Sequence, residues 1–232
     1  MSKRIVALMP TRGVVFTKAE VALEQEMIDC GHLPYILRTD NKPLPDSRNI
    51  LVESALKTNA THFLLIDDDV IMPQGGLKNL IDADTDIAFI DYPMHFEGER
   101  WGNMGTATYD DWLPGDEWEG KPIAWAGLGC CLVRREVFEN KLKKPWFKIM
   151  DRSFTRDDNG KITFRKAGVK LNAGGEDVYF FKKAREAGVE IKQVKGACGH
   201  ARFARLVGAF QEGKYQSQHK IVINNNVERP YR

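Results

Sequence analysis

The sequence predicts an α/β fold with a mostly parallel central sheet flanked by helices. Over roughly the first 90 residues, short apolar runs rich in strand formers alternate with amphipathic stretches, the order that makes successive strands parallel. The run His62-Phe-Leu-Leu-Ile66 is apolar on both faces, as expected of a strand covered on both sides, and it passes directly into Asp67-Asp68-Asp69. Gly- and Pro-containing breaks punctuate the alternation.

Arg4 to Met9 reads as the first strand, stopped by Pro10-Thr11-Arg12-Gly13. Thr17-Lys18-Ala19-Glu20 matches a capping box, and Ala19, Leu23, Met27 and Cys30 follow at helical spacing until Gly31 supplies a C-terminal stop. Leu33 to Thr39 predicts a second strand, Asp46 to Thr58 a second helix and His62 to Ile66 a third strand. Pro73 suits the first turn of a short helix through Ile81, and Asp86 to Asp91 gives another apolar strand. Glu97 to Glu119 carries three of the five tryptophans with little periodicity and reads as a long functional loop. Ile123 to Val133 is strand material broken by Gly127 and Gly129, Arg134 to Leu142 a helix, and Asp158-Asn159-Gly160 a hairpin turn. Glu176 to Ala187 is a helix closed by Gly188, followed by a strand from Val189 to Val194. With no internal repeat, low-complexity tract or linker, a single domain over 1–232 is expected, in two halves, 1–95 and 96–232.

A domain of 232 residues is long enough to bury a real core. Apolar runs such as Phe63 to Ile66 and Ile87 to Ile90 are far short of the roughly 20 residues needed to span a bilayer. The beginning, Met1-Ser2-Lys3-Arg4, lacks the apolar core and small-residue cleavage site of a secretory signal, so a cytoplasmic protein with no membrane partner is expected. Cys30, Cys130, Cys131 and Cys198 show no CxxC spacing and are expected as buried thiols. Residues 178–232 hold eleven Lys or Arg against four Asp or Glu, a basic end that fits either an anionic ligand or a solvated surface.

Three carboxylates at the end of a central strand lie where open α/β sheets bind ligands. Along an extended segment Asp67 and Asp69 would face one way and Asp68 the other. Two converging carboxylates suit Mg²⁺, which takes one or two of them and completes its shell with substrate phosphates. The plainer reading is an acidic loop capping the next helix. Glu176-Asp177 opens a helix, where carboxylates complement the dipole, so a structural cap and a general base for an acceptor hydroxyl are both open. His200 is either a packing residue or a ligand; an imidazole with two carboxylates would suit Mn²⁺. Arg48 could reach a diphosphate or a neighbouring carboxylate, with a surface position as the default. The loop Pro10 to Gly13 could hold a base or ribose but lacks the glycine pattern of a dinucleotide fold or P-loop.

Taken in order, MPTRG (9–13), SRNILVESAL (47–56), HFLLIDDDVIMP (62–73), GLGCCLVRREVFE (127–139), PWF (145–147), GGEDVYFFKKAREAG (174–188) and CGH (198–200) resemble the GT-A glycosyltransferases, especially small family 2-like proteins of phage and bacteria. The resemblance implies the GT-A fold, with 1–95 binding a nucleotide-sugar donor, a UDP-sugar favoured, and 96–232 forming the acceptor and catalytic half. It implies that Pro10, Thr11 and Arg12 bind the nucleotide; Arg48, Asp67 and Asp68 are expected beside it from their place at the same strand ends. Asp67 and Asp69 would be the outer residues of a DxD motif, and His200 would complete a Mn²⁺ or Mg²⁺ site. Asp177, with Glu176, would be the catalytic pair, and Gly127, Leu128 and Gly129 would line the acceptor side. Residues 97–120 match no family pattern; there Trp101, Trp112 and Trp118 could stack on a sugar or base. A hydroxymethylated pyrimidine in phage DNA is one acceptor this predicts, placing the protein in the host cytoplasm, and an aromatic loop would help flip such a base. A sugar nucleotidyltransferase would share the plan but needs a glycine-rich loop after the first strand, where only Gly13 stands. A non-catalytic nucleotide-sugar or carbohydrate-binding protein is the third possibility.

Overall fold

The computed structural model describes residues 3–92, 94–96, 99–101, 104–106, 123–149, 155–156, 162–163 and 175–201, with backbone alone at 94–96, 99–101, 104–106, 124, 155–156 and 162–163. The elements run β1 (Ile5–Thr11), α1 (Thr17–Asp29), β2 (Ile36–Asp40), α2 (Leu44–Ala55), β3 (His62–Ile66), β4 (Val70–Ile71), α3 (Gly76–Asp82) and β5 (Ile87–Asp91). They continue with β6 (Met94–Phe96), β7 (Glu99–Trp101), β8 (Met104–Thr106), β9 (Ile123–Ala126), β10 (Cys130–Arg134) and a π-helical turn (Val137–Lys141). Then follow β11 (Thr155–Arg156), β12 (Ile162–Thr163), α4 (Glu176–Glu186), β13 (Ile191–Ala197) and β14 (Gly199–His200).

Six strands form one sheet in the order β13-β5-β10-β3-β1-β2. The sheet is mixed: β10 runs against the other five strands, which qualifies the expectation of a mostly parallel sheet. β1 pairs parallel with β2 and β3, and β13 parallel with β5, but β10 runs antiparallel to both β3 and β5. The physical reason lies in the chain path. β10 enters the sheet straight from the turn at 128–129, whose Gly129 carbonyl accepts the Asp67 N–H at 3.2 Å, so it starts at the edge where β3 ends and runs back along it. The register Cys130↔Ile66 to Arg134↔His62 records that reversal.

Alternation along each strand divides the core into two layers. Val6, Leu8, Phe63, Leu65, Ile87, Phe89, Cys131 and Val133 face α2 and α4, against Leu51, Val52, Phe180, Phe181 and Ala184. Ile5, Ala7, Met9, Leu64, Ile66, Ala88, Ile90, Cys130 and Leu132 face α1 and α3, against Leu23, Met27, Leu77 and Leu80. Every one of these side chains is at least nine-tenths buried. At roughly 1.5–3 kcal/mol for a fully buried large aliphatic or aromatic side chain, both layers are strong determinants of the fold.

Several expected elements differ in detail. The capping box is not used: Phe16 is the N-cap of α1 with no side-chain cap bond, and Glu20 pairs with Arg38 on β2 instead. The helix expected over 134–142 is mostly a single π-type turn, and the loop expected over 97–119 contains β7 and β8, the latter paired with β9. Gly31 and Gly188 do stop their helices, with φ of 77° and 68° in the left-handed region. The turn at Asn159-Gly160 lies outside the described residues, while β11 and β12 on either side pair antiparallel. Among the described residues no helix is long and apolar enough to cross a membrane. Cys130, Cys131 and Cys198 are buried free thiols as expected, but Cys30 is half-buried.

Candidate active site

The topology gathers the candidate residues on one edge. β1, β2, β3, β5 and β13 end there, and β10, being reversed, begins there. Because β1 sends its chain outward to β2 and the return crosses to β3, the connections diverge between β1 and β3, the position at which open sheets form ligand crevices.

Asp67 continues the odd-numbered face of β3, the face that Phe63 and Leu65 turn toward α2 and α4. It therefore meets Arg48 from α2, whose Nη2 donates to Asp67 Oδ1 at 2.7 Å, while Arg48 Nε donates to Glu176 Oε1 of α4 at 3.3 Å. Arg48 is 1% exposed, so the surface position expected for it is corrected: it bridges two helices and a strand from inside the molecule. Burial works against its charge, and Asp67 and Glu176 more than reverse that, raising its pKa beyond the usual guanidinium value. Burial pushes the Asp67 carboxyl up with Arg48 opposing. The Arg48 side of the pair is charged, because a guanidinium does not release its proton in a protein. Arg48 Nη1 is buried without a hydrogen-bond partner.

Extended alternation ends at Ile66, because Asp68 and Asp69 form a turn. Asp67 and Asp69 consequently take different partners instead of a shared one. Asp68 Oδ2 accepts the Arg12 N–H at 3.4 Å and its carbonyl accepts the Phe16 N–H at 3.2 Å, which ties the triplet to the loop after β1. Burial and the neighbouring Asp69 raise the Asp68 carboxyl, with the Arg12 N–H opposing. Asp69 Oδ2 lies 3.2 Å from His200 Nε2, and its carbonyl accepts the Ala201 N–H at 2.7 Å. The short pairing of β14 with β4 brings His200 opposite Val70.

Pro10 and Thr11 are buried within β1, paired with Thr39 and Asp40, so of the expected nucleotide loop Arg12 and Gly13 are the exposed part. Glu176 and Asp177 open α4 after Gly175. Asp177 Oδ1 accepts the Val178 N–H at 2.7 Å, and a Cβ on Gly175 would lie 2.6 Å from that oxygen, so glycine is needed for the carboxylate to fold back. Burial first, then the charge of Glu176, pushes the Asp177 carboxyl up to about 6. A cap alone would gain from a lower value. Leu128 is buried at the turn before β10 and Gly127 precedes it. Trp101 lies on β7 with its side chain outside the described residues, as are Trp112 and Trp118.

Among the described residues no group of three or more His, Cys, Asp or Glu is placed to hold a metal ion. The Asp69–His200 pair offers one carboxylate and one imidazole, a two-donor set of a kind that could take Mn²⁺ or a related cation. Three contributors escaped the sequence reading. Tyr92 follows β5 at the same edge, and its place after an expected strand was the available signal. Asn49 holds the 145–147 segment through Phe147 O at 2.8 Å and the Trp146 N–H at 3.1 Å. Glu26 accepts the Gly75 and Leu77 N–H groups at 2.7 and 3.0 Å and so fixes the start of α3 from α1.

Fold and site together define an α/β protein with a buried Arg–carboxylate bridge and a half-buried Asp–His pair at the carboxyl edge of a mixed sheet. Among solved structures it is similar in fold to the crystal structure of A197 from STIV, with a TM-score of 0.51 and 18% identity over 87% of this chain and 86% of that one. A glycosyltransferase involved in glycosylation of the major capsid of PBCV-1 matches at 16% identity over 62% of this chain and 69% of that one, but its TM-score of 0.34 is too low to argue from. No protein-family model and no curated protein matches the chain.

Proposed function

We propose that the protein is a metal-dependent glycosyltransferase that moves a sugar from a nucleotide-diphosphate donor to an acceptor hydroxyl. The observation that carries this reading is the assembly, on one edge of the sheet, of Asp69 with His200 and of Asp177 with its carboxyl near 6. The Asp69–His200 pair suits a cation that would neutralise an anionic leaving group, and Asp177 suits a hydroxyl to be activated. The motif order shared with the GT-A enzymes supports the same reading.

Asp69 and His200 would hold Mn²⁺ or Mg²⁺, which when bound neutralises the charge developing on the departing diphosphate. Arg12 and Gly13, exposed beside Asp68, would meet the nucleotide, a UDP-sugar in the favoured case. Asp177 takes the proton of the acceptor hydroxyl as that oxygen bonds to the anomeric carbon, and the bond from that carbon to the diphosphate oxygen breaks. A carboxylate near pH 6 is a better base than an ordinary aspartate yet remains ionised at pH 7. The turn Gly127 to Gly129 would face the acceptor, for which a hydroxymethylated pyrimidine in DNA is one candidate. Asp177→Asn is the test. Donor binding should survive with transfer lost, and loss of both together, or of neither, would remove Asp177 from the role of base.

A further inference from the structure

Tyr92 stands where the parts of this edge meet, and neither the motifs nor the proton transfer above uses it. It follows β5, is 7% exposed, and packs its ring edge-on to the His200 ring at 5.5 Å and 70°. Its hydroxyl end lies against the turn before β10. A Cβ on Gly129 would be 2.8 Å from Tyr92 Cε1 and 2.9 Å from Cζ, so glycine is required there for the ring to sit where it does. That same Gly129 accepts the Asp67 N–H at 3.2 Å. The phenol lies within the electrostatic reach of Asp67, Asp177, Arg48 and Asp69 together.

We propose, on the glycosyltransferase reading, that Tyr92 is a specificity-determining residue whose hydroxyl hydrogen-bonds a hydroxyl of the transferred sugar. The chemistry fits that group better than it fits the nucleotide. A sugar presents hydroxyls that both donate and accept beside apolar C–H faces, and a tyrosine offers a donor-acceptor oxygen on an apolar ring. The location fits as well, because the sugar must sit between the diphosphate, near Asp69 and His200, and the base, Asp177.

Tyr92→Phe keeps the ring against His200 and Gly129 and removes only the hydroxyl. Its affinity for a panel of UDP- and GDP-sugars, each beside its sugar-free nucleotide, would be measured by calorimetry against the unsubstituted protein. The expected result is a loss of about 3- to 10-fold for the sugar nucleotide that the unsubstituted protein binds, the worth of one neutral hydrogen bond, with sugar-free nucleotide affinity unchanged. Equal losses for both ligands, or no loss for either, would overturn the inference and leave the glycosyltransferase reading standing. Failure of the unsubstituted protein to bind any sugar nucleotide with Mn²⁺ or Mg²⁺ present would overturn that reading and this inference with it.

Discussion

Arg48 and Asp177 are both held in costly places, and the costs have opposite signs. Arg48 is buried with one nitrogen unpartnered, compensated by Asp67 and Glu176. Arg48→Met leaves those two carboxylates facing each other without a cation, so urea unfolding should show a loss of about 3–5 kcal/mol. Arg48→Lys keeps the charge but loses the fork that reaches two carboxylates, and should lie between. Asp177 has a folded-state pKa near 6, above its unfolded value of 3.8. A raised acid pKa means the folded state binds the proton more tightly, so ionisation costs stability as pH rises through this window and the full cost applies above about 6. Asp177→Asn should therefore stabilise the protein at pH 7 by on the order of 2 kcal/mol, an advantage that fades toward pH 4, while transfer is lost. On the glycosyltransferase reading, kcat/KM of the unsubstituted protein should rise with pH through about 6. Arg48 was legible as a charged residue near the site but not as a buried one. Its burial depends on α2 and α4 closing over β3, a contact between residues 128 positions apart.

At the level of elements, the edge works because three turns approach closely. Gly129 admits Tyr92 and Val70, whose Cγ2 would be 2.9 Å from a Cβ there. Gly129→Ala should cost about 1–3 kcal/mol in chemical denaturation and misplace Asp67, whose N–H bonds the Gly129 carbonyl. β3 carries a pH signature of its own. Burial, then the charges of Lys3 and Arg134, lowers His62 to about 4. A depressed histidine pKa means the unfolded chain takes up its proton first, so stability is lost as pH falls from about 6.5 to about 4. His62→Gln should remove that acid-sensitive part of the stability profile, measured by unfolding between pH 7 and 4, by about 1 kcal/mol once solvent screening of this partly exposed ring is allowed for. The apolar run of β3 was plain in the sequence because both faces are covered. The turn inside the aspartate triplet was not, since nothing in three identical residues marks where extension stops. The failed capping box has a similar cause: Glu20 is taken by Arg38, a partner that only the pairing of β1 with β2 supplies.

Across the whole molecule, alternation of strands and helices was read correctly, and it suffices to place the carboxyl ends of β1, β3 and β5 on one edge. The sense of β10 was not legible, because its apolar run Cys130 to Val133 has the same pattern whichever way it runs. That reversal brings Gly129 to the same edge as Asp67 and completes the candidate site from the second half of the chain. The same holds for His200, which reaches Asp69 across 131 positions through β13 and β14. The central claim is thus that this edge turns over a nucleotide sugar with the help of a cation at Asp69 and His200. The most direct measurement is nucleotide release from a panel of UDP-, GDP- and other nucleotide sugars, with and without Mn²⁺ or Mg²⁺, with hydroxymethylated DNA and simple sugars as acceptors and Asp69→Asn as control. Release from one donor that needs the cation and falls at least about 100-fold in Asp69→Asn is the result the account predicts. Absence of release from every donor, or release indifferent to both cation and substitution, would contradict it.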